Sequence, residues 1–422
     1  MGPLADWEKR MDILNALASH GLHHLLEAIF HNLESADLRS IRLVSTCWFG
    51  LVEQLIHHGE LSYLSRRWDD GEPKVGEMQC KKERSVCTVT SLAVDDTSIA
   101  AGLGSSGKIE VWNRRSFDKI LEIEGHKEGV YTLQFGRFIL VSGGEDGKVR
   151  VWSRSSGDLL DVLDHHTYIV WSVKLEGDQL VTASYDCTVC FLSIQGSENS
   201  FQSTLKKKIQ GPWEWADALF LEDHGYLLVV HDETNFSLQV WGIENQEKIS
   251  RLEGHTDEVH AVEVKGALLV SGGSDKSVRV WNWKRSVCLY ILEGHEGKVW
   301  SIGIHRMRIG SGGRFGEVKV WNIPNLEEMI NQKFENPASD EVIGDEEVTQ
   351  SPTLIKKSRT LLCHPKSTSV SVLHIDSFCL VTGDGLAKII NWDFWHQQSN
   401  SSSCKKYNTP VPDPLLMERH LR

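Results

Sequence analysis

The sequence predicts a mainly β fold built from seven repeated units and preceded by a small α-helical domain. Two observations carry the β assignment. One residue position recurs as Trp112, Trp152, Leu192, Trp241, Trp281, Trp321 and Trp392, at intervals of 40, 40, 49, 40, 40 and 71 residues. The text before it repeats as well: "KVRVW" at 148, "SVRVW" at 277 and "EVKVW" at 317, each behind a glycine-rich turn. Short β-branched runs separated by such turns read as strands joined by hairpins. A third observation sets the N-terminus apart, because its first 70 residues lack strand alternation and space their leucines helically.

Composition narrows the class. A chain of 422 residues suits one small unit plus one large one. Hydrophobic residues at 40% and charged residues at 24% match a soluble globular protein. No apolar run approaches a membrane span, so no membrane partner is expected. The opening MGPLADWEKR lacks the apolar core of a signal peptide, and Asp6 breaks a myristoylation pattern. Nine cysteines without a regular framework fit reduced thiols, and the chain is expected to be cytoplasmic and/or nuclear. A net charge of -13 argues against binding nucleic acid.

Residues 1–20 hold a helical stripe of Trp7, Met11, Leu14 and Leu17. Residues 21–65 continue with Leu26, Ile29, Phe30 and Leu33 on one stripe, then Leu38, Ile41 and Val44, then Trp48, Leu51, Val52 and Leu55. Ser35 before "ADL" is a plausible cap, so three short helices are expected. So small a unit has more apolar positions than its own core can bury, which calls for a partner surface. Residues 26–48 resemble the F-box, the motif that docks on the Skp-type adaptor of a cullin–RING ubiquitin ligase. The stretch "GLHHLLEAIFHNL" is similar to the beta-transducin repeat-containing subgroup of F-box proteins, although the usual Leu-Pro opening is missing. The resemblance implies adaptor contact for Leu25, Leu26, Ile29, Phe30, Leu33, Leu38, Ile41, Val44 and Trp48. The alternative is that several of these, Val44 and Trp48 above all, pack on the unit's own third helix. In the resembling subgroup a preceding helical segment mediates dimerisation, which makes a homodimer through residues 1–20 a further candidate.

Residues 66–84 read as a linker followed by a strand. The segment "KVGEMQCKK" at 74–82 is expected to close the ring of repeats, because "HQQSNSSSC" after Trp392 is too polar for an outer strand. Residues 85–395 hold the seven repeats, and a histidine stands 14 residues after the tryptophan position at His126, His166, His255 and His295. This text resembles the WD-repeat family, which implies a seven-bladed β-propeller with four antiparallel strands per blade. The resemblance also implies structural tetrads across a blade: His126, Ser142, Asp146 and Trp152, then His255, Ser271, Asp275 and Trp281. A third repeat keeps His166, Thr182 and Asp186 but has Leu192, and another has Phe315 in place of the aspartate.

Long intervals read as insertions. The acidic stretch at about 327–360, "NPASDEVIGDEEVTQSPTLIKK" within it, is expected to be a loop, with Ser351-Pro352 either a kinase target or part of an inert linker. Residues 396–422 are expected to be a disordered tail. Three motifs suggest chemistry and are better explained otherwise. "CTVC" at 187–190 reads as strand with Cys187 and Cys190 on opposite faces, so no metal is expected. The "HH" pairs at 23, 57 and 165 fit exposed helix positions and the repeat histidine, and "GLGSSGK" at 102–108 leads into a strand instead of a helix. No cofactor is implied, and no enzyme.

Binding is expected on the face formed by loops before the first and after the second strand of each repeat. Five positions after each Gly-His pair stand Tyr131, Trp171, His260 and Trp300, with Asp217 in the same ring. Before the turn aspartate stand Glu145, Tyr185 and, elsewhere, Ser274 and Arg314; Trp213 and Trp215 lie in the altered loop of the fourth repeat. Aromatic rings at a channel mouth are typical anchors, unless they fill the blade interior. A phosphate reader needs converging arginines, and this register supplies Arg314 with Lys298 beside it. The expected ligand is therefore an apolar or basic peptide segment of a protein substrate. The family resemblances together imply a substrate receptor of a Skp–cullin–F-box ligase; the alternative is a WD-repeat scaffold without a ligase role.

Overall fold

The computed structural model describes residues 74–80, 87–323 and 352–393, apart from short breaks at 198–199, 212–215, 221–225, 233–234, 244–245, 306–307, 357, 363, 367 and 377–378. The adaptor-contact candidates, the dimerisation stripe, Trp213, Trp215, Ser351 and the 396–422 tail lie outside the described residues. Every regular element among the described residues is a β-strand.

The strands form seven sheets. Sheet one pairs Val89–Val94, Ser98–Leu103, Lys108–Asn113 and Lys119–Glu124, and sheet two pairs Val130–Phe135, Ile139–Gly144, Val149–Ser153 and Leu159–Leu163. Sheet three pairs Val170–Glu176, Gln179–Ser184, Thr188–Ser197 and Ser200–Gln210; sheet four pairs Ala216–Phe220, Tyr226–Asp232, Ser237–Gly242 and Glu247–Leu252. Sheet five pairs Val259–Lys265, Leu268–Gly273, Ser277–Asn282 and Val287–Glu293, and sheet six pairs Val299–His305, Arg308–Gly313, Glu317–Asn322 and Arg359–Leu362. Sheet seven joins Val370–Ile375, Cys379–Asp384 and Lys388–Asp393 to the early strand Lys74–Gln79, which runs antiparallel with Val75 opposite Trp392.

Packing between sheets explains the "SGG" text. A Cβ added at Gly143 would meet Val170 Cγ1 at 2.7 Å, at Gly272 Val299 Cγ1 at 2.6 Å, and at Gly312 Val370 Cγ1 at 2.6 Å. Each of these three second strands therefore lets the first strand of the next sheet approach its backbone, as a glycine permits, whereas sheet three has Ala183 at that position. The same contact links Gly383 of sheet seven to Val89 of sheet one, at 2.6 Å. Second strands are sandwiched and buried along their length, as in Ile139–Gly144 and Leu268–Gly273. The core consists of inter-sheet clusters such as Val149, Val151, Leu163, Val170 and Leu180. Arg114 of sheet one also reaches Asp376 of sheet seven at 2.6 Å.

Three segments differ from the sequence reading. Within the stretch assigned to the acidic loop, Thr353–Ile355 forms a fifth strand of sheet five, parallel to Val287–Glu293, and Arg359–Leu362 is the outer strand of sheet six. Unpaired edge groups recruit these short runs although their own sequence shows little alternation. The polar insertion after Leu192 is an extended hairpin, with Ser197 opposite Ser200. Cys187 sits in the turn before its strand, at φ 64°, so the opposite-face argument does not apply to it; Cys190 is buried in the strand.

Candidate peptide-binding site

Hydrogen-bonded tetrads hold the turns that frame the site. In sheet five, Trp281 Nε1 donates to Ser271 Oγ at 2.8 Å, the Ser271 hydroxyl meets His255 Nε2 at 2.7 Å, and His255 Nδ1 meets Asp275 Oδ2 at 2.8 Å. In sheet two, Trp152 Nε1 and His126 Nε2 both lie 2.8 Å from Ser142 Oγ, and His126 Nδ1 lies 3.1 Å from Asp146. Hydrogen bonds from the histidine hold Asp275 down to about 2 against its burial, and Asp146 is lowered further with help from Arg150. In sheet three, Thr182 and Asp186 flank His166 at 2.7 and 3.3 Å.

Two further sets complete the picture that fixed spacing missed. His295 Nε2 meets Ser311 Oγ at 2.6 Å, Trp321 Nε1 donates to Ser311 at 2.8 Å, and Glu317 takes the carboxylate role at 2.9 Å from Nδ1. Phe315 is thus no loss, because a longer side chain two positions on reaches the same nitrogen. In sheet seven His364 meets Thr382 and Asp384, each at 2.9 Å. Asp384 stands where sheet two has Gly144, and a Cβ added at Gly144 would lie 2.1 Å from His126 Nδ1. Sheet one lacks the set: Ala101 pairs as Ser142 does, and Trp112 Nε1 has no partner among the described residues.

The candidate binding positions are built by bulges. Pairing of the first two strands shifts register between Val130 and Thr132, Val170 and Ser172, Val259 and Ala261, and Val299 and Ser301. The skipped residues are Tyr131, Trp171, His260 and Trp300. Sheets one and seven bulge likewise at Thr90 and Ser371, whereas in sheet four Asp217 pairs regularly with Val229. A bulge leaves its extra residue out of the ladder and re-aims the side chain. Tyr131, Trp171, His260 and Trp300, with Tyr185, line a cavity of about 880 Å³.

The rings gather in two groups. Trp171 stacks on Tyr185 with centroids 5.1 Å apart, Tyr131 lies 5.5 Å from Trp171, and Tyr168 lies 6.4 Å from Tyr185. His260 stacks on Trp300 at 4.3 Å and bonds Ser274 at 2.7 Å. Burial, reinforced by Lys298, lowers the pKa of His260, which favours a neutral ring for that stack. Trp171 and Trp300 are each 37% exposed, so they do not fill the blade interior. Tyr168, 57% exposed, was missed by the spacing rule, since it lies in the entry loop two residues after His166.

Glu145, Ser274 and Arg314 do not join the described cavity wall. The backbone N–H groups of Glu145, Arg314, Tyr185 and Ser274 bond to the loop before the first strand: Gly129, Lys298, Ile169 and Glu258 accept at 2.7 to 3.0 Å. This ties the two loops of the face together. Arg314 is exposed, and Glu145 is half-buried.

Comparison with protein families matches the WD domain, G-beta repeat model at residues 117–153, 157–192 and 246–282. Those three segments match WD repeats. Each matched segment ends at or beside the recurring tryptophan position, and 117–153 runs from the fourth strand of sheet one through the first three of sheet two. A comparison with curated proteins finds no match. Among solved structures, the crystal structure of the computationally designed Ika8 protein is similar at 21% identity and a TM-score of 0.53, over 75% of this chain and all of that one. That likeness concerns the fold alone. The WD repeats make a protein-interaction scaffold the coarse functional class, and the multiple four-stranded sheets are typical of WD propeller blades.

Proposed function

We propose that this chain is a non-catalytic substrate receptor of a Skp–cullin–F-box ubiquitin ligase, with a closed seven-bladed propeller that holds a peptide segment of the substrate. The observation that carries the binding half is the bulge-borne set Tyr131, Trp171, His260 and Trp300 around one cavity, with both tryptophans 37% exposed. Amphipathic rings that stay partly exposed where bulges aim them suit capture of a ligand better than support of the fold. The ligase half rests on the F-box resemblance of residues 26–48 and concerns residues 21–65. Its mechanism is positioning: one end docks on the adaptor while the other raises the effective concentration of a substrate lysine at the conjugating enzyme. Such a receptor works in the cytoplasm and/or nucleus.

Co-purification of the full chain with the Skp-type adaptor tests the ligase half, alongside the double variant Leu26→Asp, Leu38→Asp and a variant lacking residues 1–65. Association of the wild type only is the expected result. A folded wild type that stays free of adaptor removes the ligase role and leaves the second reading, a WD-repeat scaffold.

A further inference from the structure

The four-ring ladder runs Tyr131, Trp171, Tyr185, Tyr168, and Tyr131 ends it. At the bulge position sheets one and seven carry Thr90 and Ser371, whose hydroxyls donate to the backbone carbonyls of Val130 and Val89 in the neighbouring sheets. Bulky side chains thus stand at the bulge position on sheets two, three, five and six, while on sheet one, whose Thr90 reaches the residue before Tyr131, that position is small. Trp171 is the one ring in contact with Tyr131 among the described residues.

Glu145 supplies the second observation. It follows Gly144, the partner of Val130 in the pairing that skips Tyr131, and its N–H donates to the Gly129 carbonyl at 2.9 Å; its charge is felt at the Tyr131 hydroxyl, which burial and then Glu145 hold above its ordinary pKa. The nearby cations are already engaged: Arg150 pairs with Asp146 at 2.7 Å and Lys148 with Asp164 at 2.6 Å. The half-buried Glu145 carboxylate has no ion pair or hydrogen bond among the described residues. A half-buried carboxylate without a partner, next to the pair that precedes Tyr131, offers a counter-charge to a cation from elsewhere.

Building on the peptide-binding reading, we infer that Tyr131 and Glu145 form a subsite for the guanidinium of an arginine in the bound peptide. A guanidinium is flat, so it extends the ladder by one more layer on Tyr131 while its fork of N–H donors pairs with the Glu145 carboxylate. A lysine ammonium matches the charge and not the plane. A phosphorylated residue has the wrong sign at this position.

Selection of short random peptides displayed on phage against the immobilised full chain provides the probe, and the recovered peptides are remade with arginine, lysine or citrulline at each arginine position. The expected result is a required arginine, with affinity lowered about tenfold or more by citrulline, which keeps the shape and loses the charge. Glu145→Gln should weaken the arginine peptide and leave the citrulline peptide unchanged. Trp171→Ala should weaken both, because it undercuts the ladder. Peptides that bind through Trp171 yet are indifferent to citrulline and to Glu145→Gln overturn the arginine subsite and leave the peptide-binding reading standing. Failure to recover any peptide, or peptides indifferent to both Trp171→Ala and Trp300→Ala, overturns the two together.

Discussion

Ser271 shows how much one hydroxyl carries in this protein. A carboxylate only accepts, so the proton of His255 belongs on Nδ1 toward Asp275, and Nε2 then accepts from the Ser271 hydroxyl. The oxygen of that hydroxyl accepts the indole N–H of Trp281, which is almost wholly buried. Ser271→Ala leaves two buried polar groups without partners at once, and a loss of about 1 to 3 kcal/mol follows. Urea unfolding monitored by circular dichroism measures it; an unchanged midpoint would mean that the tetrad contributes no net stability. Acid should act on the same network. Hydrogen bonds hold Asp275 and Asp146 below their ordinary values, so the stability they add is present above the unfolded carboxylate range and is lost as pH falls through the folded pKa. His126 and His166 are depressed as well, by burial first, so each is neutral when folded and takes up a proton more readily when unfolded. Both groups give the same sign. Thermal midpoints measured from about pH 7 down to about pH 3 should decline first below the histidine range near 6.5 and again below about 4.

At the scale of the element, the parallel strand Thr353–Ile355 is the departure that most changes the molecule's edge. It pairs Tyr290 with Thr353 and Ile291 with Leu354, and Lys356 adds an exposed ion pair to Glu293 at 3.5 Å. Neighbouring residues of a strand point their N–H groups to opposite sides, so a double variant Leu354→Pro, Ile355→Pro removes whichever of the two donors faces sheet five. Hydrogen exchange should then lose protection at outward-facing amides among Tyr290–Leu292, while Val130–Phe135 stays as it was. Unchanged protection would show that the strand guards nothing. The sequence could not announce this pairing, since three residues carry no period and the partner lies 63 positions away. Local text did announce the rest of the sheet pattern: the β-branched runs are strands, and the "SGG" runs mark where the next sheet packs. Fixed offsets group Tyr131, Trp171, His260 and Trp300, the residues that the bulges leave out of the ladder, although nothing in those offsets reveals the bulge itself. The same offsets missed Glu317, and they missed the sheet-seven set because its His364 stands 43 residues after Trp321. Counted from the hydroxyl residue, Ser311 or Thr382, the carboxylate slides along the turn by two positions either way and still reaches the same histidine nitrogen.

Over the whole molecule, charge decides how a basic peptide would arrive. The chain carries 45 basic and 58 acidic residues, and 45 minus 58 gives the net charge of -13. A field of that sign attracts a cationic segment from a distance and speeds encounter, yet it adds little once the partners touch. Stacking on Tyr131 and Trp171, by contrast, acts only in contact. The two contributions separate by ionic strength, because exposed charges farther apart than about 8 to 10 Å are largely screened near physiological salt. Surface plasmon resonance with an arginine-containing peptide, from about 0.05 to 0.5 M salt, should therefore show the association rate falling steeply and the dissociation rate changing less. In Trp171→Ala the salt dependence of association should persist while dissociation becomes faster at every salt. Were dissociation instead to carry the salt dependence in the wild type, the contact itself would be a solvent-exposed ion pair, and the ladder would have no part in holding the peptide.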